Sequence, residues 1–171
     1  MGVPASMQSM LVRQFLALKE PVWLQKHTAD WLVWEPGAWK VPQLQGGVAS
    51  TQIALAQPDR PQKGDCLCFE LKPVVGVKLK VGRAPENDIV LNDATVSREH
   101  LLIERLKDQW VAHALASSKA TLVKGKAASP GTAVPLASGD TLTVGGVVLS
   151  YLTASALVLR LKNEAARLTR S

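Results

Sequence analysis

From Asp65 onward the chain is built of short apolar or alternating runs separated by turn-forming residues. The runs are CLCFEL, VKLKVG, DIVL, HLLIERL, QWVAHAL, ATLVKG, TAVPL, TLTVG and VVLSYL, and turn signals stand at KPVVG, APEND, NDATVSRE, KDQ, ASPGT and ASGD. Many short strands at regular spacing predict an all-β sandwich or barrel over residues 65–153. The flanks carry a different period. In residues 8–20, Leu11, Phe15 and Leu18 recur at helical spacing, with Ser9 placed to cap the start and Pro21 to end the run. Near the other end, Leu157, Leu161, Ala165 and Leu168 share one helical face, while Arg160, Lys162, Glu164 and Arg167 fall elsewhere. Residues 154–171 are therefore expected to form an amphipathic helix that packs on the sandwich rather than on a lipid surface.

Two stretches complicate this pattern. Residues 22–42 hold Trp23, Trp31, Trp34 and Trp39, and DWLVWEPG reads as a short strand closed by a Pro-Gly turn. Such an aromatic cluster reads first as core, with a docking surface as the alternative. Residues 1–42 are set apart as a helical, Trp-rich extension, and residues 43–64, rich in Gln, Gly and Pro, as a linker. The stretch Thr141–Leu159 carries no charge and approaches the length of a membrane span. Its first half alternates, however, through Leu142, Val144, Val147, Leu149 and Tyr151, so strands are expected there and no span. The opening MGVPASMQSM has no basic segment ahead of an apolar core, so no secretory signal is expected.

Composition narrows the class. At 171 residues, with 47% hydrophobic and 20% charged side chains, the chain fits one soluble globular domain with an extension. The net charge of +6 is uneven: residues 1–71 carry six basic and six acidic side chains, residues 72–151 ten and seven, and residues 152–171 four and one. The surplus lies in the second half, where it either forms a solvated basic surface or attracts an anion such as nucleic acid, a lipid head group or a phosphoprotein. Cys66 and Cys68 would share one strand face, at a spacing unsuited to a disulfide, and no further ligands accompany them. They read as buried thiols in a reducing cytoplasm, with no metal. Histidines 27, 100 and 113 are isolated in sequence, and no nucleophile–base pair, carboxylate pair or metal cluster surrounds them. No enzyme activity and no cofactor are expected.

The most specific signal lies between residues 81 and 103, VGRAPENDIVLNDATVSREHLLI. Gly82 suits a turn that needs a permissive backbone, and Arg83 is then thrown out at a strand end, where its fork can grip an oxyanion in two places. Ser97 offers a hydroxyl to a second oxygen, and His100 enters the following strand, where its ring can fasten a loop. Each pair alone is weak. The ordered set is stronger: Gly82-Arg83, Asn87-Asp88-Ile89, Ser97-Arg98-Glu99-His100, then Leu136 to Gly145.

That set closely resembles the forkhead-associated (FHA) domain family, over about residues 66–152. The resemblance implies a β-sandwich of two twisted sheets, of the SMAD/FHA type, whose loops at one end bind phosphothreonine peptides. It implies that Arg83 holds phosphate oxygens, that Ser97 hydrogen-bonds the phosphate, and that Arg98 contacts phosphate or peptide backbone. Gly82 and His100 would keep the loops in shape. The next family loop usually reads Ser-x-Asn-Gly-Thr, then x-Val-Asn-Gly; here Ser118 and Thr121 are kept, while Lys119 and Lys124 stand at the two Asn positions. An ammonium donates but cannot accept, so Lys119 would add to a phosphopeptide site without reading a peptide N–H. The implied partner is a phosphothreonine-containing protein, a Ser/Thr kinase or its substrate, rather than nucleic acid. The alternative is a degenerate FHA scaffold that docks or oligomerises without reading phosphate.

Overall fold

The computed structural model describes residues 2–37, 60–62, 64–115 and 121–169. Trp39, most of the 43–64 linker, Ser118 and Lys119 lie outside those residues. Elements are numbered in chain order. Among the described residues one sheet contains β1 (Ala5–Met7), β2 (Asp30–Trp34), β3 (Leu67–Leu71), β8 (Thr121–Val123), β9 (Lys126–Ala127), β11 (Thr141–Val144) and β12 (Val147–Leu152), in the order β1-β3-β2-β12-β11-β8-β9. The other contains β4 (Lys78–Gly82), β5 (Ile89–Val90), β6 (Leu101–Leu106), β7 (Gln109–Ala114) and β10 (Ala133–Pro135), in the order β10-β7-β6-β4-β5. Pairing is antiparallel except between β4 and β5, which run parallel. The described residues also form three helices, α1 (Gln8–Leu18), α2 (Glu20–Lys26) and α3 (Ala154–Thr169).

Two cores explain the sequence pattern. Between the sheets pack Leu32, Trp34, Leu67, Phe69, Leu71, Leu101, Ile103, Trp110, Leu142 and Leu149, among others. On the outer face of the larger sheet, Trp31, Val33, Cys66 and Cys68 meet Leu11, Val12, Phe15 and Trp23 from α1 and α2, and Leu157, Val158 and Leu161 from α3. Strands β2 and β3 thus bury alternate residues on opposite sides, and so read as near-continuous apolar runs. Cys66 and Cys68 are free, buried, and both face the helical layer, as the strand spacing predicted.

The segment set apart in sequence as an extension supplies strands to the sandwich. β2 lies between β3 and β12, with Leu32 opposite Phe69 on one side and Tyr151 on the other. β1 adds an edge against β3. Trp23, Trp31 and Trp34 are buried, which places them in core rather than on a docking surface.

Three local expectations need correction. Ser9 does not cap α1, whose N-cap is Met7; its backbone N–H and hydroxyl donate instead to the carboxylate of Asp65. Pro21 does not end the helical segment but stands in the first turn of α2, where a missing N–H costs nothing; the break falls at Lys19, in the left-handed region with φ 67°. Leu168 is exposed, and the residues that α3 buries are Leu157, Val158, Leu161 and Ala165. The uncharged stretch from Thr141 resolves into β11, β12 and the start of α3, and among the described residues no helix is long and apolar enough to cross a membrane.

Candidate phosphate-binding loops

β4 and β6 are antiparallel neighbours, with Val81 opposite Leu101. The end of β4 and the start of β6 therefore lie at the same end of the sheet, and so do the two motifs that flank them. The pairing continues past the strands. His100 N–H donates to Val81 O at 2.9 Å, Arg83 N–H to Ser97 O at 2.9 Å, and Ala84 N–H to Arg98 O at 3.1 Å. Two loops distant in sequence are thus zipped into one surface by backbone bonds.

Gly82, Arg83, Ser97 and His100 each have a definable place there. The half-buried Arg83 side chain donates from Nε to the carbonyl of Val96 at 3.0 Å. That bond uses the inner nitrogen of the fork, and its guanidinium is ion-paired to no described carboxylate. The backbone of Ser97 is gripped on both sides: its carbonyl accepts from Arg83, and its N–H donates to Nδ1 of His100 at 3.0 Å. Because Nδ1 accepts, the neutral ring carries its proton on Nε2. His100 is fully buried and acts as a loop fastener. Gly82 is required by close approach: a Cβ there would sit 2.3 Å from the carbonyl oxygen of Arg98.

Asn87 had a place in the motif series but no assigned role. It is 5% exposed, and its amide donates to Ala84 O at 2.8 Å and Arg98 O at 2.6 Å, bracing the turn that carries Arg83. The available signal was an Asn/Asp-rich turn next to Gly-Arg, which marks a side chain bonding to nearby backbone. The exposed Arg98 side chain lines a hollow of about 350 Å³ with Lys80, Ala84, Glu86, Asn87 and Glu99. Arg83 and Ser97 do not line that hollow. Its mixed charge, two cations and two carboxylates, separates Arg98 from a simple anion grip.

The next loop is only partly placed. Ser118 and Lys119 lie outside the described residues. Thr121 is buried at the start of β8, opposite Val144 of β11, a framework position. Lys124 and Gly125, with φ of 56° and 78°, form the two-residue turn between β8 and β9, a left-handed pair in which Asn is the commoner first residue. Lys124 donates its N–H to Thr141 O at 2.9 Å, and its Nζ lies 3.4 Å from the carboxylate of Asp140. An ion pair braces this turn.

Residues 79–145, spanning both motifs and the turn after β11, match the sequence model of the FHA domain. Those residues belong to the FHA domain family. FHA domains are phosphopeptide-binding modules, not catalysts. Among similar proteins, an FHA domain-containing protein of Arabidopsis thaliana is 40% identical over 86 residues, which is 50% of this chain and 21% of that protein. The chain therefore spans about a fifth of that curated relative's length. The solution structure of the FHA domain of a hypothetical Arabidopsis thaliana protein is 26% identical, with a TM-score of 0.49 over 74% of this chain and 86% of that one. The N-terminal FHA domain of S. cerevisiae Rad53p, solved with a phosphothreonine peptide, is 16% identical, with a TM-score of 0.48 over 74% of this chain and 94% of that one.

Proposed function

We propose that this FHA domain binds phosphothreonine in a partner protein and so couples the chain to Ser/Thr kinase signalling. The observation that carries the reading is the bond pair from Arg83, backbone to Ser97 O and Nε to Val96 O, which holds a cation beside the Ser97 loop. A phosphothreonine brings about −1.5 to −2 charges, and each charge-assisted hydrogen bond to it contributes roughly 1.5–3 kcal/mol. Arg83 and Ser97 are the residues we assign to the phosphate, with Arg98, Ser118 and Lys119 assigned to the peptide around it. Gly82, His100 and Thr121 support the site. The two free thiols, Cys66 and Cys68, fit a cytoplasmic setting.

Titration calorimetry with phosphothreonine peptide libraries tests this. The wild-type chain should bind phosphorylated peptides and ignore their plain counterparts, and Arg83→Ala should weaken binding by about tenfold or more. Equal affinity for phosphorylated and plain peptides would overturn the reading. A second reading, an FHA scaffold docking partners without phosphate, draws on Lys119 and Lys124 at the family's Asn positions. It predicts that Arg83→Ala leaves partner capture unchanged.

A further inference from the structure

The third motif in the series, the turn after β11, reaches the phosphate loops through one residue. Gly145 has φ +62°, and a Cβ there would sit 2.2 Å from the carbonyl oxygen of Thr95. The β11–β12 turn is thus pressed against the backbone of the loop that precedes Ser97. A hydrogen-bond relay starts at this contact. Gly146 N–H donates to Thr95 Oγ1 at 2.7 Å, and Thr95 Oγ1 donates to Asp93 Oδ1 at 2.5 Å. The same Asp93 oxygen takes the N–H of Thr95 at 2.8 Å, and Asp93 is fully buried. Val96 N–H donates to Asp93 O at 3.1 Å, and Val96 O receives Arg83 Nε at 3.0 Å.

Only a hydroxyl donates and accepts through one atom in this way. Loss of the Thr95 hydroxyl breaks two links together and leaves the buried Asp93 carboxylate one donor short. The carbonyl that orients the Arg83 fork is the next link. We propose that Thr95 is a positioning residue of the anion grip: it ties the β11–β12 turn to the 93–97 loop and thereby sets the direction of the Arg83 guanidinium. Thr95 itself need not touch the ligand. The inference rests on the phosphothreonine reading for its consequence in binding, but its structural consequence at Arg83 needs no ligand.

The test compares Thr95→Val, which keeps the shape and removes the hydroxyl, with Thr95→Ser, which keeps the hydroxyl. Both are made in the full chain. Hydrogen exchange of the Arg83 Nε–H is followed by NMR, beside affinity for a phosphothreonine peptide. Thr95→Val should speed Nε–H exchange and weaken the peptide, each by about tenfold, and Thr95→Ser should restore both. Should Thr95→Val not fold, Thr95→Ala removes the hydroxyl without setting a methyl against Asp93, and gives the same comparison. Unchanged exchange at Arg83 on loss of the hydroxyl, or a Ser variant that behaves like Val, overturns the inference. A wild-type chain that binds no phosphopeptide sinks the functional reading alone, and the exchange rates still decide this one.

Discussion

At the scale of single residues, Gly82 shows how little space the site leaves. One added methyl would meet the carbonyl of Arg98 at 2.3 Å and the amide nitrogen of Asn87 at 2.9 Å. Neither is the free end of a flexible chain: the carbonyl is backbone, and the amide is held by two bonds. Gly82→Ala must therefore move the Arg83 turn away from the Ser97 loop. Overpacking of this kind costs about 1–3 kcal/mol, so thermal unfolding should shift down by about 3–10 °C, and phosphopeptide affinity should fall with it. An unshifted melting curve would mean that the loops are looser than their bonds suggest. Cys66 offers a second check. Burial pushes its thiol up to about 11, against the pull of the Arg160 guanidinium. Near pH 7.5 the thiolate is scarce, so a disulfide reagent should modify native Cys66 about a hundredfold more slowly than an unfolded thiol. Cys68 should be slower still, since burial raises it further. Rapid native labelling of either would place the helical layer off the sheet.

At the scale of elements, α3 is tied to the sheet by more than apolar contact. Arg160 on α3 meets the carboxylate of Glu35, just beyond β2, through both terminal nitrogens, and donates from Nε to Gln8 Oε1 at 2.6 Å. Burial alone would raise the Glu35 carboxyl, but hydrogen bonds from Arg160 and Ser150 outweigh it, and the net direction is downward. A carboxylate lowered in the fold stabilises the fold above its unfolded pKa, about 4.3, and that contribution is lost as pH falls through the lower folded value. Melting temperature should therefore drop as pH falls from about 5, and Glu35→Gln should flatten that drop. The same slope in both proteins would assign acid sensitivity elsewhere. This tie was invisible in sequence, since Glu35 and Arg160 are 125 residues apart. What was legible was periodic. The strands from β3 to β12 alternate or run apolar between turn residues, and only two-residue β9 escaped. Pro21 misled because proline both stops a helix and opens one, and Lys19 gave no warning of its left-handed backbone. The candidate site divides in the same way. Gly82, Arg83, Ser97 and His100 stand at fixed spacing and could be read, whereas Asn87 and Thr95 act through partners that only folding brings near.

At the scale of the molecule, the family match and the folding unit differ in extent. The match runs from residue 79 to 145, inside β4 at one end and just past β11 at the other. It takes in the Arg83 and Ser97 loops but leaves out β1, β2, β3, β12 and all three helices. Yet β2 lies in the interior of the larger sheet, paired to β12 and β3 along its length. Without it, β3 and β12 would each present a row of unpaired backbone groups to the other across a gap one strand wide. Loss of the three helices would also bare Cys66 and Cys68, which they help to cover. A fragment of residues 65–153, which looks self-contained in sequence, should then aggregate or unfold without a cooperative transition. A fragment of residues 2–169 should melt cooperatively and give dispersed amide resonances. If the shorter fragment folds with dispersed resonances and gives the same phosphothreonine-peptide titration as the whole chain, the Trp-rich segment is an accessory. If it does not, that segment belongs to the FHA sandwich as the strand that closes its larger sheet, and the Arg83 and Ser97 loops depend on it through the framework they stand on.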